Sequence, residues 1–290
     1  GLLGGLALPV VEVGGDGDDA LVDWPAEVGL GVELELAEHH RRDLGQREDP
    51  PGDLRPDLAV RTFHQRVGHQ RPRLVHEGRA PPTPDETLRR RSIESFVAEL
   101  QRCDALGLTY LVSHPGNYID ERASGIRRNA DAITEALVRA PGETILCMEI
   151  TSGSGTALGS SFEDLAELIE LVPEPHRSRL AVCVDTCHAY SAGYDFVSGY
   201  DDVWRRFDDV IGMSRLRVMH LNDSKTPFNS KRDRHELIGE GSLGEQAFRH
   251  IMNDERLAAI PKVIETPKGT DPTATDARML ERLRSYIDRG

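Results

Sequence analysis

Eight side chains between residues 114 and 265 have the chemistry to bind divalent metal: His114, Glu149, Asp185, His188, His220, Asp233, His235 and Glu265. Imidazole and carboxylate without thiolate suit zinc, with manganese or iron as the other choices. A single His or Glu is most often a hydrogen-bonded structural residue. Here, however, five of the eight end five apolar runs. "LTYLVSH" ends in His114, "TILCME" in Glu149, "LAVCVD" in Asp185, "LRVMH" in His220 and "IPKVIE" in Glu265. Carboxylates in such surroundings are costly to bury alone and call for cations. Asp233 and His235 stand two apart in "KRDRHELIGEG". In an extended segment i and i+2 point the same way, so both reach one ion, with His188 as partner. The competing account of that loop is a solvated charge cluster. Cys187 adjoins Asp185 and His188, but strand alternation does not aim it, and its role stays open.

The elements that must carry these residues are legible from residue 83 onward. The five runs are near-continuous and apolar, as buried parallel strands are. Helical patterns separate them. Thr83-Pro84-Asp85-Glu86 is a capping box with proline at the first helical position. It opens a helix carrying Ile93, Phe96, Val97, Leu100 and Cys103, which Gly107 ends. A second helix carries Ile126, Ile133 and Leu137. Ser161-Phe-Glu-Asp opens a capped helix over 161–172. "DDVWRRFDDVIG", "LGEQAFRHIMND" and residues 274–288 supply the rest. Strands alternating with helices imply βα units and a parallel sheet. In a β/α barrel the C-terminal strand ends are where the active site forms. The predicted class is α/β, a parallel sheet of βα units over residues 83–290.

Residues 1–82 read differently. They contain no Lys, Ile, Ser, Asn, Tyr, Met or Cys, and they lack sustained strand or helix periodicity. Apart from Trp24, Thr62 and Phe63, every residue has a codon that can begin with G or C. A GC-rich gene read with its wobble base in the first codon position produces that bias. The segment reads as an out-of-frame or wrong-strand translation, or else as a low-complexity extension. Weak or disordered structure is expected there, and the first barrel strands are in doubt.

A chain of 290 residues suits one large α/β domain. It has no run of 18 apolar residues, so no transmembrane helix is predicted. The apolar N-terminus lacks a basic n-region and makes a poor signal peptide. The four cysteines form no CxxC pair and read as reduced thiols of a cytoplasmic protein. The net charge of −14 argues by itself against a nucleic-acid binder. Bound metals or a locally positive face would offset it.

The segments "SHPGNY", "MEITSGSGTALGSSFEDL", "CVDTCHAYSAGYD", "MHLNDSK", "DRHELIGEGSLGEQAF" and "VIETP" together resemble endonuclease IV, the zinc-dependent apurinic/apyrimidinic endonuclease family of base-excision repair. Order and spacing are similar over about residues 83–270. The resemblance makes that sheet a TIM (β/α)8-type barrel and implies three Zn2+ ions at its C-terminal face. By motif, Glu149 would bridge two metals and share the first with His114. Asp185, His220 and Glu265 would complete the second, and His188, Asp233 and His235 would hold the third. The family also has a histidine in a motif like H-x-S-Y-L-I-N-L, upstream of the stretch matching "PDETLRRRSI". Here that region reads "RLVHEGRAPP". His76 lies too close to the following helix and lacks the motif around it, so the first metal is one ligand short.

The implied activity is hydrolysis of the phosphodiester 5′ to abasic sites in duplex DNA, with Glu149 also orienting the attacking hydroxide. An abasic nucleotide is cheap to flip out of the stack, which aids selectivity. A soluble monomer is expected. One rival is a sugar isomerase or epimerase on the same barrel, for which Glu149, Asp185, His220 and Glu265 would hold one metal. The set His188, Asp233 and His235 is more than such an enzyme needs. The other rival is an inactive product, if residues 1–82 are expressed as written and the barrel stays open.

Overall fold

The computed structural model describes residues 86–288 and, upstream, only four short strands, β1 (Val10–Glu12), β2 (Gly31–Val32), β3 (Leu34–Glu35) and β4 (Phe63–His64). The expectation of weak order over 1–82 falls, outside those strands, on residues that are not described, as do His76 and Thr83–Asp85.

The rest of the chain alternates strand and helix. The order is α1 (Glu86–Ala105), β5 (Tyr110–His114), α2 (Arg122–Arg139), β6 (Ile145–Glu149), α3 (Phe162–Leu171), α4 (Glu174–Arg177), β7 (Leu180–Asp185), α5 (Thr186–Ala192), α6 (Tyr200–Val210) and β8 (Leu216–His220). Then follow β9 (Asp223–Ser224), β10 (His235–Glu236), α7 (Gly244–Asn253), β11 (Lys262–Ile264) and α8 (Pro272–Ser285). The five predicted strands form the parallel run β5-β6-β7-β8-β11. Each strand pairs with the next main strand along the chain, and the order never reverses. A doubly wound sheet reverses at its midpoint, whereas a barrel wall continues in one direction. At the outer edges, β1 pairs in parallel with β11 and β2 antiparallel with β5.

Strand parity separates two cores. Leu111, Leu146, Met148, Val182, Val184, Met219 and Ile264 face the helices and join the larger core. Val112, Cys147, Ala181, Cys183, Val218 and Val263 form a smaller cluster on the opposite face. Two residues beyond Val112, Cys147, Cys183, Val218 and Val263 stand His114, Glu149, Asp185, His220 and Glu265. Side chains two apart on a strand share a face. The five strand-end residues therefore cap one inward-facing apolar layer.

Local sequence explains the helices. Ser161 caps α3, accepting from the Asp164 amide at 3.1 Å. Asp271 caps α8 with Pro272 at its first turn, so α8 begins two residues before the expected 274. The sequence did not single out α5. It begins directly where β7 ends, capped by Asp185, and closes at Gly193, whose φ of 109° is a left-handed cap that glycine adopts freely.

A candidate metal centre at the strand ends

The structure brings all eight residues together. They fall into three overlapping groups, within each of which one ligand atom per residue lies within 4.8 Å of the others: His114, Glu149 and His188; Glu149, Asp185, His220 and Glu265; His188, Asp233 and His235. Glu149 and His188 each belong to two groups. Cys183 also lies within this range of Glu149 and His220, and Cys187 of Asp185 and His235.

Glu149 is the hub. Its Oε2 is 3.1 Å from His114 Nε2, and its Oε1 is 2.9 Å from His220 Nδ1 and 3.4 Å from His188 Nδ1. His220 Nδ1 also faces Glu265 Oε2 at 3.1 Å. Asp185 Oδ2 sits between groups, 4.0 Å from His220 Nδ1 and 3.9 Å from His235 Nε2. Asp233 spans the two imidazoles of its group, at 2.9 Å from His188 Nε2 and 3.3 Å from His235 Nε2.

The local fold aims these rings. Asp185 Oδ1 accepts the backbone N–H of His188 at 2.7 Å, so one carboxylate both caps α5 and fixes where His188 starts. His188 Nδ1 lies 3.1 Å from the Ile150 carbonyl, and His235 Nδ1 lies 3.0 Å from the Glu265 carbonyl. A carbonyl only accepts, so each Nδ1 carries a proton, and each Nε2 is the nitrogen turned to the site, where a metal or a second proton would sit. Those two Nε2 atoms face each other at 3.4 Å. His235 is carried by β10, which pairs with β9, so His235 lies opposite Ser224.

Electrostatics fit cation binding. Glu149, Asp185 and Glu265 are 2, 0 and 8 % exposed, and His188 and His220 are 3 and 0 % exposed. Burial alone would raise the Glu149 pKa, but the imidazoles of His220 and His114 outweigh it and hold the carboxyl well below its usual range. Burial opposes charging His188, yet the carboxylates of Asp185 and Asp233 raise it well above an ordinary histidine. Burial is likewise outweighed at His220, which Cys183, Glu149 and Glu265 raise well above the ordinary value, and at His235, which Asp185 and Asp233 raise. The imidazole of His188 holds Asp233 low. Without metal, protons on imidazole supply the positive charge these carboxylates need. Two facing imidazole Nε2 atoms and three buried carboxylates fit divalent cations in place of those protons.

Two residues outside the ligand set also build the centre. Asn222 donates from Nδ2 to Asp185 Oδ2 at 2.5 Å. Asp223 accepts the backbone N–H groups of Ser224, Gly241, Leu243 and Gly244, which fastens the loop after β10. Gly241 passes so close that an added Cβ would collide with the Ser224 carbonyl oxygen. The signal in the sequence was an amide and a carboxylate together directly after the His220 strand end, in "HLND". Cys187 is fully buried with its thiol 3.5 Å from the Arg234 carbonyl, and burial pushes its pKa up to about 12.

Comparisons with known proteins agree with the fold. The family model described as "Xylose isomerase-like TIM barrel" matches residues 30–285, beginning inside the segment 1–82. "Probable endonuclease 4" of Chloroflexus aggregans is 44 % identical over 266 residues, covering 89 % of this chain and 91 % of that protein. The protein of the same name from Geobacter sulfurreducens is 45 % identical over 210 residues, covering 71 % and 70 %. The crystal structure of endonuclease IV from Thermus thermophilus is similar with a TM-score of 0.60 and 33 % identity, covering 68 % of each chain. With its run of parallel strands, its strand-end residues and these relatives, the chain belongs to the endonuclease IV family of xylose isomerase-like TIM barrels.

Proposed function

We propose that the protein is a metal-dependent endonuclease that hydrolyses the phosphodiester 5′ to abasic sites in duplex DNA, with zinc as its metal. The observation that carries this is the third ligand group, His188, Asp233 and His235, joined through His188 to the two groups that share Glu149. One polarising ion needs four ligands; a scissile phosphate with its nucleophile and leaving group calls for more. The names of the relatives at 44 and 45 % identity point the same way.

Bound zinc ions would neutralise the phosphodiester and bring the pKa of water near neutrality. His114 and Glu149 would hold the first ion, Glu149, Asp185, His220 and Glu265 the second, and His188, Asp233 and His235 the third. Beyond His114 and the shared His188, the first group has no further imidazole among the described residues. Family resemblance expects one from the segment before residue 83, so among the described residues the first ion is one ligand short. Glu149 stays ionised among its three imidazoles and is placed to orient an attacking hydroxide. The carbonyls of Ile150 and Glu265 keep His188 and His235 in the tautomer that presents Nε2. Asp233, with its side chain 46 % exposed, forms the outer lip where DNA would approach. We further propose residues 83–290 as the nuclease domain of a cytoplasmic monomer.

The test is incision of a duplex carrying one abasic site, with and without chelator. Incision is expected only without chelator, and a metal content near three per chain. Glu149→Gln should lower the incision rate by at least about 100-fold while duplex binding in a gel-shift assay persists. Incision at near the parent rate by that variant would refute the role of Glu149. The group Glu149, Asp185, His220 and Glu265 also favours a sugar isomerase. One ion per chain, ketose–aldose interconversion and no incision would establish that instead. Absence of both activities would mark an inactive product.

A further inference from the structure

Asn222 is wholly buried two residues beyond His220, and every polar atom it has is engaged. Its backbone N–H donates to the Thr186 hydroxyl at 2.9 Å, and its carbonyl accepts from the same hydroxyl at 2.6 Å. That pair of bonds ties the end of β8 to the start of α5. Its Oδ1 accepts the backbone N–H of Glu265 at 2.8 Å. Only oxygen can accept there, so the amide orientation is settled, and Nδ2 faces Asp185 Oδ2 at 2.5 Å and Glu265 Oε2 at 3.5 Å. The second oxygen of Asp185 is already held by the His188 amide.

We propose that Asn222 is a positioning residue. Its amide sets the spacing of the Asp185 and Glu265 carboxylates within the group they form with Glu149 and His220, and so tunes how tightly that group holds its ion. This rests on the metal-centre reading above. Two like charges this close repel each other, and an amide is the neutral group that donates to one or both while adding no charge. It is also anchored independently of the metal, through Thr186 and the Glu265 backbone. The partners of metal-binding carboxylates commonly change metal affinity by about 10- to 100-fold when altered.

The test uses the full chain with its metal exchanged for cobalt(II), whose visible absorption reports coordination. Asn222→Asp keeps the shape and replaces the donor by a further carboxylate; Asn222→Ala removes donor and acceptor. Both variants should release one cobalt per chain to a chelator about 10- to 100-fold faster than the parent, with an altered visible band. The cobalt held by His188, Asp233 and His235, which Asn222 does not touch, should release as in the parent. Unchanged cobalt content, spectrum and release, with only a lowered melting temperature, would reduce Asn222 to a packing residue and overturn the proposal. A parent that holds no cobalt would overturn the metal centre itself. Should neither variant fold, the parent labelled with 15N-asparagine decides. The Asn222 side-chain amide signals must shift on metal loading, and unshifted signals would overturn the proposal.

Discussion

Glu149, at the end of β6, lies within 3.4 Å of three imidazoles. Its ionisation is therefore bound to histidine chemistry, and the Glu149→Gln test above reads that dependence directly. Beneath it lie Cys147 and Cys183, each fully buried in the inward-facing apolar layer. Burial drives Cys147 well above an ordinary thiol and pushes Cys103, Cys183 and Cys187 up to about 12. A thiolate is the reacting species, so buried neutral thiols are inert. Native protein at pH 8 should release no thionitrobenzoate from Ellman's reagent, and all four thiols should react once the chain is unfolded in guanidinium. Prompt reaction of even one thiol in the folded protein would contradict this packing.

Elements transmit sequence to site through their ends. The α3 cap is reciprocal: Ser161 accepts from the Asp164 amide, and its hydroxyl donates to Asp164 Oδ1 at 2.6 Å. Asp164 in turn accepts from Gly159 and pairs with Arg122 of α2. Ser161→Ala should cost about 1 kcal/mol, read as a lower urea midpoint at unchanged slope. An unchanged midpoint would mean the cap carries no stability. On β11, Lys262 is buried and donates to the carbonyls of Leu257 and Ile260 at 2.6 and 3.0 Å. Burial lowers its pKa from 10.5 to about 8, with Asp254 opposing. Between those values the unfolded chain binds a proton that the folded chain lacks, so this group makes stability rise with pH across that window. The difference in unfolding free energy between parent and Lys262→Met should therefore move in favour of the parent from pH 8 to pH 10. A difference flat with pH would refute the shift.

For the whole molecule, three buried carboxylates and four histidines at one end of the sheet make folding depend on what neutralises them. Metal that binds only the folded chain stabilises it by about 2.7 kcal/mol per site at a free concentration one hundred times its Kd. Chelation should lower the melting temperature, and zinc should restore it in a dose-dependent way; a melting temperature indifferent to both would exclude a formed metal centre. Legibility was greatest where signals are local. All five strands and the helices around Ile126, Ser161, Trp204 and Phe248 stood out by periodicity and capping. The helix α5 did not, because it follows β7 with no loop between and its cap is Asp185, already assigned to the metal. The β9–β10 pair is two residues on each side, too short for any period to show.

The sequence alone determined which residues end the strands, because apolar runs and their ends are local. With both faces of each strand apolar, it left open which way those residues point. Only the tertiary structure placed His114, Glu149, Asp185, His220 and Glu265 above one inward layer and decided which of them meet. That depends on register between strands, which distant hydrogen bonds set: Glu149 stands opposite Cys183, and Asp185 stands opposite His220 beyond a register shift in the β7–β8 pairing between Val182 and Cys183. The same long-range placement makes Glu149 and His188 members of two groups each, and it turns Asn222 from an ordinary residue of "HLND" into the clamp between two carboxylates.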